Sequence, residues 1–157
     1  MGGCGESDRK QPARMAVYRG EGFSIALPAD WHQERGRAAA IRAIGPIIPD
    51  SDGFRESVNV GFRYRRNVSL ESIVSANRRS MENEGFRMES SRRIKVRGRD
   101  AHRLVFTGQV GRSNVKMLAC LIASERRIYT IMCTTKERLY QSREPLFEDI
   151  VQSWTEQ

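Results

Sequence analysis

The chain has 157 residues, 39% of them hydrophobic and 29% charged, with a formal net charge of +8 and a pI near 10.0. That length fits one domain, whose core can bury roughly 70% of the unfolded surface without a metal or disulfide staple. No run of 18 apolar residues occurs, which excludes a membrane-spanning helix, and three cysteines exclude a disulfide framework.

Residues 1–16 are predicted as a flexible tail ahead of a domain over 17–157, because MGGCGESDRKQPAR is rich in Gly and charge and has no apolar period. Gly2-Gly3-Cys4 is what remains when a bacterial lipoprotein signal is cut up to its lipidated Cys. Cys4 is therefore a candidate lipidation site with a polar tether behind it; an ordinary disordered N-terminus stands beside that reading. Gly22-Phe23-Ser24-Ile25-Ala26-Leu27-Pro28 alternates Phe23, Ile25 and Leu27, the pattern of a half-buried strand that Pro28 ends. Ala38 to Ile44 is a second strand candidate, followed by a Gly/Pro/Asp-rich loop. From Ser57 to Arg65, Val58, Val60, Phe62 and Tyr64 face one way and Asn59, Gly61, Arg63 and Arg65 the other.

Ser69 to Glu84 predicts a helix with an apolar stripe of Leu70, Ile73, Val74, Asn77 and Met81. Ser69 suits its N-cap and Gly85 its left-handed C′ position. Three strands follow: Arg92 to Arg97, His102 to Val110 after a Gly98-Arg99-Asp100 turn, and Asn114 to Ala123. The last pairs with Ile128 to Thr135 as an antiparallel hairpin. If Glu125-Arg126 is its two-residue turn, Cys120 faces Ile131 with Cys133 as diagonal neighbour, and a disulfide would need a register shift. A closing helix starts with Pro145 at its first position and buries Leu146, Phe147, Ile150, Val151 and Trp154. Two amphipathic helices and strands apolar on both faces predict an α+β fold: a three-layer α/β/α sandwich with a mostly antiparallel central sheet.

Five segments in this order resemble the PsbP/Mog family, which includes PsbP of photosystem II, the Ran-binding Mog protein and bacterial DcrB-like proteins. They are Gly22-Phe23-Ser24-Ile25-Ala26-Leu27-Pro28-Ala29-Asp30-Trp31, then Val58-Asn59-Val60, then the helix entry Ser69-Leu70-Glu71. Gly98-Arg99-Asp100-Ala101-His102-Arg103-Leu104 and Ile150-Val151-Gln152-Ser153-Trp154 complete the set, with Trp in place of the family's Phe. The resemblance covers roughly residues 18–156 and implies a fold and an accessory or adaptor role rather than an activity.

Catalytic chemistry has no signature here. His32 and His102 lack partners at metal-ligand spacing, and no phosphate-cradling or nucleophile motif occurs. No catalytic residue, metal, cofactor or small-molecule substrate is expected, and the chain reads as non-enzymatic. Charge is the remaining signal. Arginine dominates over four lysines and is scattered, as biased codon usage also produces. Arg63, Arg65 and Arg66 leave one strand, while Arg93, Lys95 and Arg97 lie on another. If the two strands are near each other they form one basic partner-binding face, for a protein or an anionic membrane surface. Solvated edge protection is the plainer account. Nucleic acid is not expected, since no aromatic platform or recognition helix is evident. The leading expectation is an extracytoplasmic, lipid-anchored accessory binder; the alternative is a cytoplasmic chaperone or adaptor for an apolar segment of a partner.

Overall fold

The computed structural model describes residues 14–35, 41–49 and 51–157, so Cys4 and its proposed lipidation lie outside the described residues. The strands are β1 (Met15–Gly20), β2 (Phe23–Pro28), β3 (His32–Arg35), β4 (Ile41–Ile47) and β5 (Arg55–Tyr64). Helix α1 (Leu70–Asn83) leads into β6 (Arg87–Val96), β7 (Arg99–Val110), β8 (Ser113–Ala123) and β9 (Arg127–Lys136). Helix α2 (Tyr140–Ser153) and the short β10 (Thr155–Glu156) close the chain. β3-β4-β5-β9-β8-β7-β6 form a seven-stranded sheet, and β1-β2-β10 a three-stranded one, with every pairing antiparallel. Layers cover both faces of the large sheet: α2 with the small sheet on one, α1 on the other. This is the predicted α+β sandwich.

Strand alternation decides which residues meet which layer. Leu118, Cys120 and Ile122 of β8 face α2, while Met117, Ala119, Leu121 and Ala123 face α1. On the α2 face, Phe23, Ile25 and Leu27 of β2 are fully buried, as their alternation predicts. Trp154 is buried there too, its ring 5.1 Å from that of Tyr129.

Helix α1 is locally specified. The Ser69 hydroxyl accepts from the Ser72 amide at 3.1 Å. At the other end Gly85 takes φ +91°, and Phe86 N–H donates to Met81 O while Gly85 N–H donates to Glu82 O. That pair of bonds is the Schellman closure, which needs a left-handed residue. Leu70, Ile73, Val74 and Met81 are its buried stripe; Asn77 is half-buried.

Four expectations need adjustment. β1 begins at Met15, which pairs with Pro28, two residues ahead of the predicted domain start. The turn before β7 is Arg97-Gly98, both with positive φ (49° and 79°), and not Gly98-Arg99-Asp100. Asp100 belongs to the strand, opposite Lys95. β6 starts at Arg87 rather than Arg92; its first half shows no apolar alternation because it runs exposed along the sheet edge. Pro145 lies inside α2 rather than at its start. Tertiary contacts hold the preceding turn in the helix: Tyr140 is buried, and Arg143 pairs with the buried Glu56 at 2.7 Å. Proline here forfeits one backbone bond, which those contacts offset.

Candidate functional site

Helix α1 is shorter than the sheet it lies on, and at its N-terminus it leaves an open cleft of about 740 Å³. The floor is β6, β7 and the end of β8; the walls are the α1 entry and Arg65. Register explains the chemistry gathered there. Arg93 pairs with His102, and Lys95 with Asp100, across β6 and β7. Arg93, Lys95, Asp100 and His102 share the face of Leu104 and Leu121, the α1 face.

Arg65 enters from beyond β5. Its backbone N–H donates to Arg126 O at 2.8 Å. Its side chain donates to Val68 O and to Ser124 O, each at 3.2 Å. Carbonyls orient this guanidinium without neutralising it, and among the described residues no carboxylate pairs with it. Arg93 lies 3.7 Å from Glu71, and Lys95 donates to Asp100 at 2.5 Å. The Lys95 hydrogen bond and charge hold the Asp100 carboxyl below its ordinary range, with Arg65 and Arg93 adding to the effect. His102 Nε2 lies 2.6 Å from the Ser91 hydroxyl. Burial lowers the His102 pKa, Arg93 lowers it further and Glu71 opposes, so the ring is neutral at pH 7.

The six basic residues predicted as a partner-binding face divide. β5 and β6 are not neighbours; β9, β8 and β7 stand between them. Arg65, Arg93 and Lys95 nonetheless meet at the cleft, because the segment after β5 crosses to the β8–β9 turn. Arg63, opposite Ile128, is exposed on the same face, and Arg66 is exposed in the loop. Arg97 is drawn away: its Nε donates to Gln152 O at 3.1 Å, at the end of α2. Arg99 likewise pairs with Glu156, at 2.5 Å. Glu71, Asp100 and Ser91 escaped sequence reasoning, which weighs His102 only as a catalytic or metal-binding residue. The signal for Asp100 and His102 was the Arg97-Gly98 turn, since a two-residue hairpin fixes Lys95 against Asp100 and Arg93 against His102.

Other candidate groups lie apart from the cleft. His32 is exposed, 3.8 Å from Glu34. Cys120 faces Ile131 and Cys133 faces Leu118, the predicted diagonal, and both are buried free thiols. Burial pushes Cys120 up to about 12, so it is no nucleophile at neutral pH. On the α2 face Arg103 donates to Glu148 at 2.6 Å and lies 3.5 Å from Glu144. Burial works against its charge, and the Glu148 bond and the carboxylates outweigh burial, raising its pKa. This cluster ties α2 to β7. Among the described residues no group of three or more acidic, His or Cys side chains is placed to hold a metal, and no helix is long and apolar enough to cross a membrane.

No family model matches the chain, and no curated protein matches it in sequence. Solved structures do. Cyanobacterial PsbP (CyanoP) from Synechocystis sp. PCC 6803 superposes with a TM-score of 0.72 at 15% identity, over 100% of this chain and 99% of that one. The chain has the PsbP-like fold. LpqN, involved in cell envelope biogenesis of Mycobacterium tuberculosis, is similar with a TM-score of 0.65 at 11% identity, over 94% of this chain and 86% of that one. PA94 of Pseudomonas aeruginosa, a protein of unknown function, gives 0.62 at 14% identity, over 92% and 98%. At such identities the likeness is one of PsbP-like fold, and the five quoted segments earn their place by position within it rather than by activity.

Proposed function

We propose that the chain is a non-enzymatic accessory protein that holds an acidic partner protein against its α1 face, on the extracytoplasmic side of a membrane and anchored there through a lipid on Cys4. Arg65 carries the reading. It is a guanidinium fixed by two carbonyls at the mouth of an open cleft, with Arg93 and Lys95 beside it and Arg63 and Arg66 exposed nearby. A preoriented cation without a carboxylate partner favours an incoming anion, because its ordering cost is already met. LpqN's involvement in envelope biogenesis supports the location.

An enzyme has less support. Ser91 and His102 are within hydrogen-bond distance, but among the described residues no acceptor orients Nδ1 of the ring, and the pair sits on an open strand surface. An apolar-segment chaperone also has less. The part of the α1 face beyond the helix presents Arg42, Asn59, Arg63, Thr130 and Thr134, and its apolar side chains, half-buried Ile44 and Met132 and exposed Ile47, are set among these polar ones.

The test is fluorescence anisotropy with labelled polyglutamate, using wild type and an Arg63→Glu, Arg65→Glu, Arg66→Glu variant. Binding is expected to weaken by about tenfold or more in the variant, with an unchanged melting temperature and a steep loss with salt. Equal binding by both proteins refutes the site. No polyglutamate binding, with co-sedimentation on phosphatidylglycerol vesicles instead, replaces the acidic partner with lipid headgroups.

A further inference from the structure

The strand that lines the cleft is also the open edge of the sheet. β6 is last in the strand order and, among the described residues, has β7 as its single neighbour. It is ten residues long and contains no proline. Its one irregularity, at Glu89 between Met88 and Ser90, sits at the far end; from Ser90 to Val96 the pairing with β7 is regular.

The direction of its backbone groups follows from the turn. Arg97-Gly98 is a two-residue loop with both φ positive, so the flanking pair Val96 and Arg99 exchanges both hydrogen bonds. Alternation then turns the N–H and C=O of Lys95, Arg93 and Ser91 outward. One side-chain contact agrees: Gln152 Nε2 donates to Lys95 O at 3.3 Å from outside the ladder. Among the described residues, the outward groups of Arg93 and Ser91 have no partner. Unpaired edge groups invite another strand.

Charge decides which strand. From Ser90 to Lys95 the edge carries Arg92, Arg93 and Lys95 and no acid. Two copies of this edge repel each other, which blocks self-pairing. An acidic strand meets the opposite sign at Arg92, Arg93 and Lys95 and no like charge between them. Its carboxylates would lie beside Arg93 and Lys95 on the α1 face, continuous with Arg65, and beside Arg92 on the other.

We infer that β6 takes an extended acidic segment of the partner protein as an eighth strand, with the outward groups of Ser91 and Arg93 supplying the backbone bonds. This rests on the acidic-partner reading above and specifies how that partner is held.

The test uses a labelled octapeptide alternating Glu and Thr, a copy N-methylated on the Thr amides, a copy N-methylated on the Glu amides, and a Lys-for-Glu copy. The full chain is used throughout. The unmodified acidic peptide is expected to bind and the Lys copy not to. One N-methylated copy loses at least about tenfold, the value of two backbone hydrogen bonds. Hydrogen exchange at the Ser91 and Arg93 amides slows on binding, while Arg93→Glu, Lys95→Glu abolishes it. If both methylated copies bind as well as the parent, or the two amides stay unprotected, the edge pairing is wrong and a charge-only contact remains. If the octapeptide fails and polyglutamate still binds, the edge pairing alone falls. If neither binds, both readings fall.

Discussion

On the α2 face of the large sheet, Phe23, Tyr129, Phe147 and Trp154 are buried together under a helix and a second sheet, and the ion pairs of Arg103 with Glu144 and Glu148 and of Arg143 with Glu56 pin the helix down. On the α1 face a single helix sets Leu70, Ile73, Val74 and Met81 over β7 and β8, and the rest of the surface is mostly polar or basic. The first arrangement closes the sheet; the second leaves half of it, and the cleft, open to contact. Stability and recognition are thereby assigned to opposite faces. A basic residue of the α1 face can change without unsettling the core, and a core residue of the α2 face can fail without altering the contact chemistry.

The largest test of that division is truncation of each core. Trp154→Ala should cost about 3–5 kcal/mol, as loss of a fully buried aromatic does. Ile73→Ala, at 8% exposure under a helix with one free side, should cost about 2 kcal/mol. Urea unfolding with a common m-value measures both. Equal losses would break the contrast between a sealed and a half-open face. Polar groups sharpen it. Glu56 is 6% exposed and pairs with Arg143, so Glu56→Ala strands a partly buried guanidinium and should cost about 3 kcal/mol. Glu71→Ala removes the exposed partner of Arg93 and should cost less than about 0.5 kcal/mol. A loss of comparable size at Glu71 would mean that the cleft charges are structural.

What could be read beforehand depended on how local the determinant was. Ser69, Gly85 and the Leu70–Met81 stripe mark α1 within a few residues of where each acts, and the helix lies where they place it. The Cys120–Ile131 register followed from loop length alone, because two turn residues fix every pair behind them. Pro145 misled because the contacts that extend α2 ahead of it, Tyr140 in the core and Arg143 on Glu56, are nonlocal. β6 was half missed for the opposite reason: an edge strand wet on both faces carries no period to detect. Of the candidate site, the residue types were visible. The meeting of Arg65 with Arg93 and Lys95 was not, because it depends on a strand order that puts β5 and β6 four positions apart and on a loop that spans the gap.

The smallest effect at neutral pH grows with alkalinity and tests the seal itself. Burial pushes the Cys120 thiol up to about 12, Glu148 adding to the effect against Arg103, and Cys133 beside it is raised as well. In the unfolded chain a thiol ionises near its ordinary value of about 8.5. Above that pH the unfolded state gives up a proton that the folded state keeps, so the stabilisation is whole below about 8.5 and is lost as pH climbs toward 12. Each thiol should contribute a decline of about 1.4 kcal/mol per pH unit. Cys120→Ala deletes one of the two contributions while leaving every lysine and tyrosine to titrate as before. Its stability deficit against wild type, read from urea midpoints, should therefore shrink between pH 8.5 and 10.5 and reverse if the deficit at pH 7 is small. A deficit that stays constant across that range would mean that water and hydroxide reach Cys120 in the folded protein, and the α2 face would then be no more closed than the face that carries the cleft.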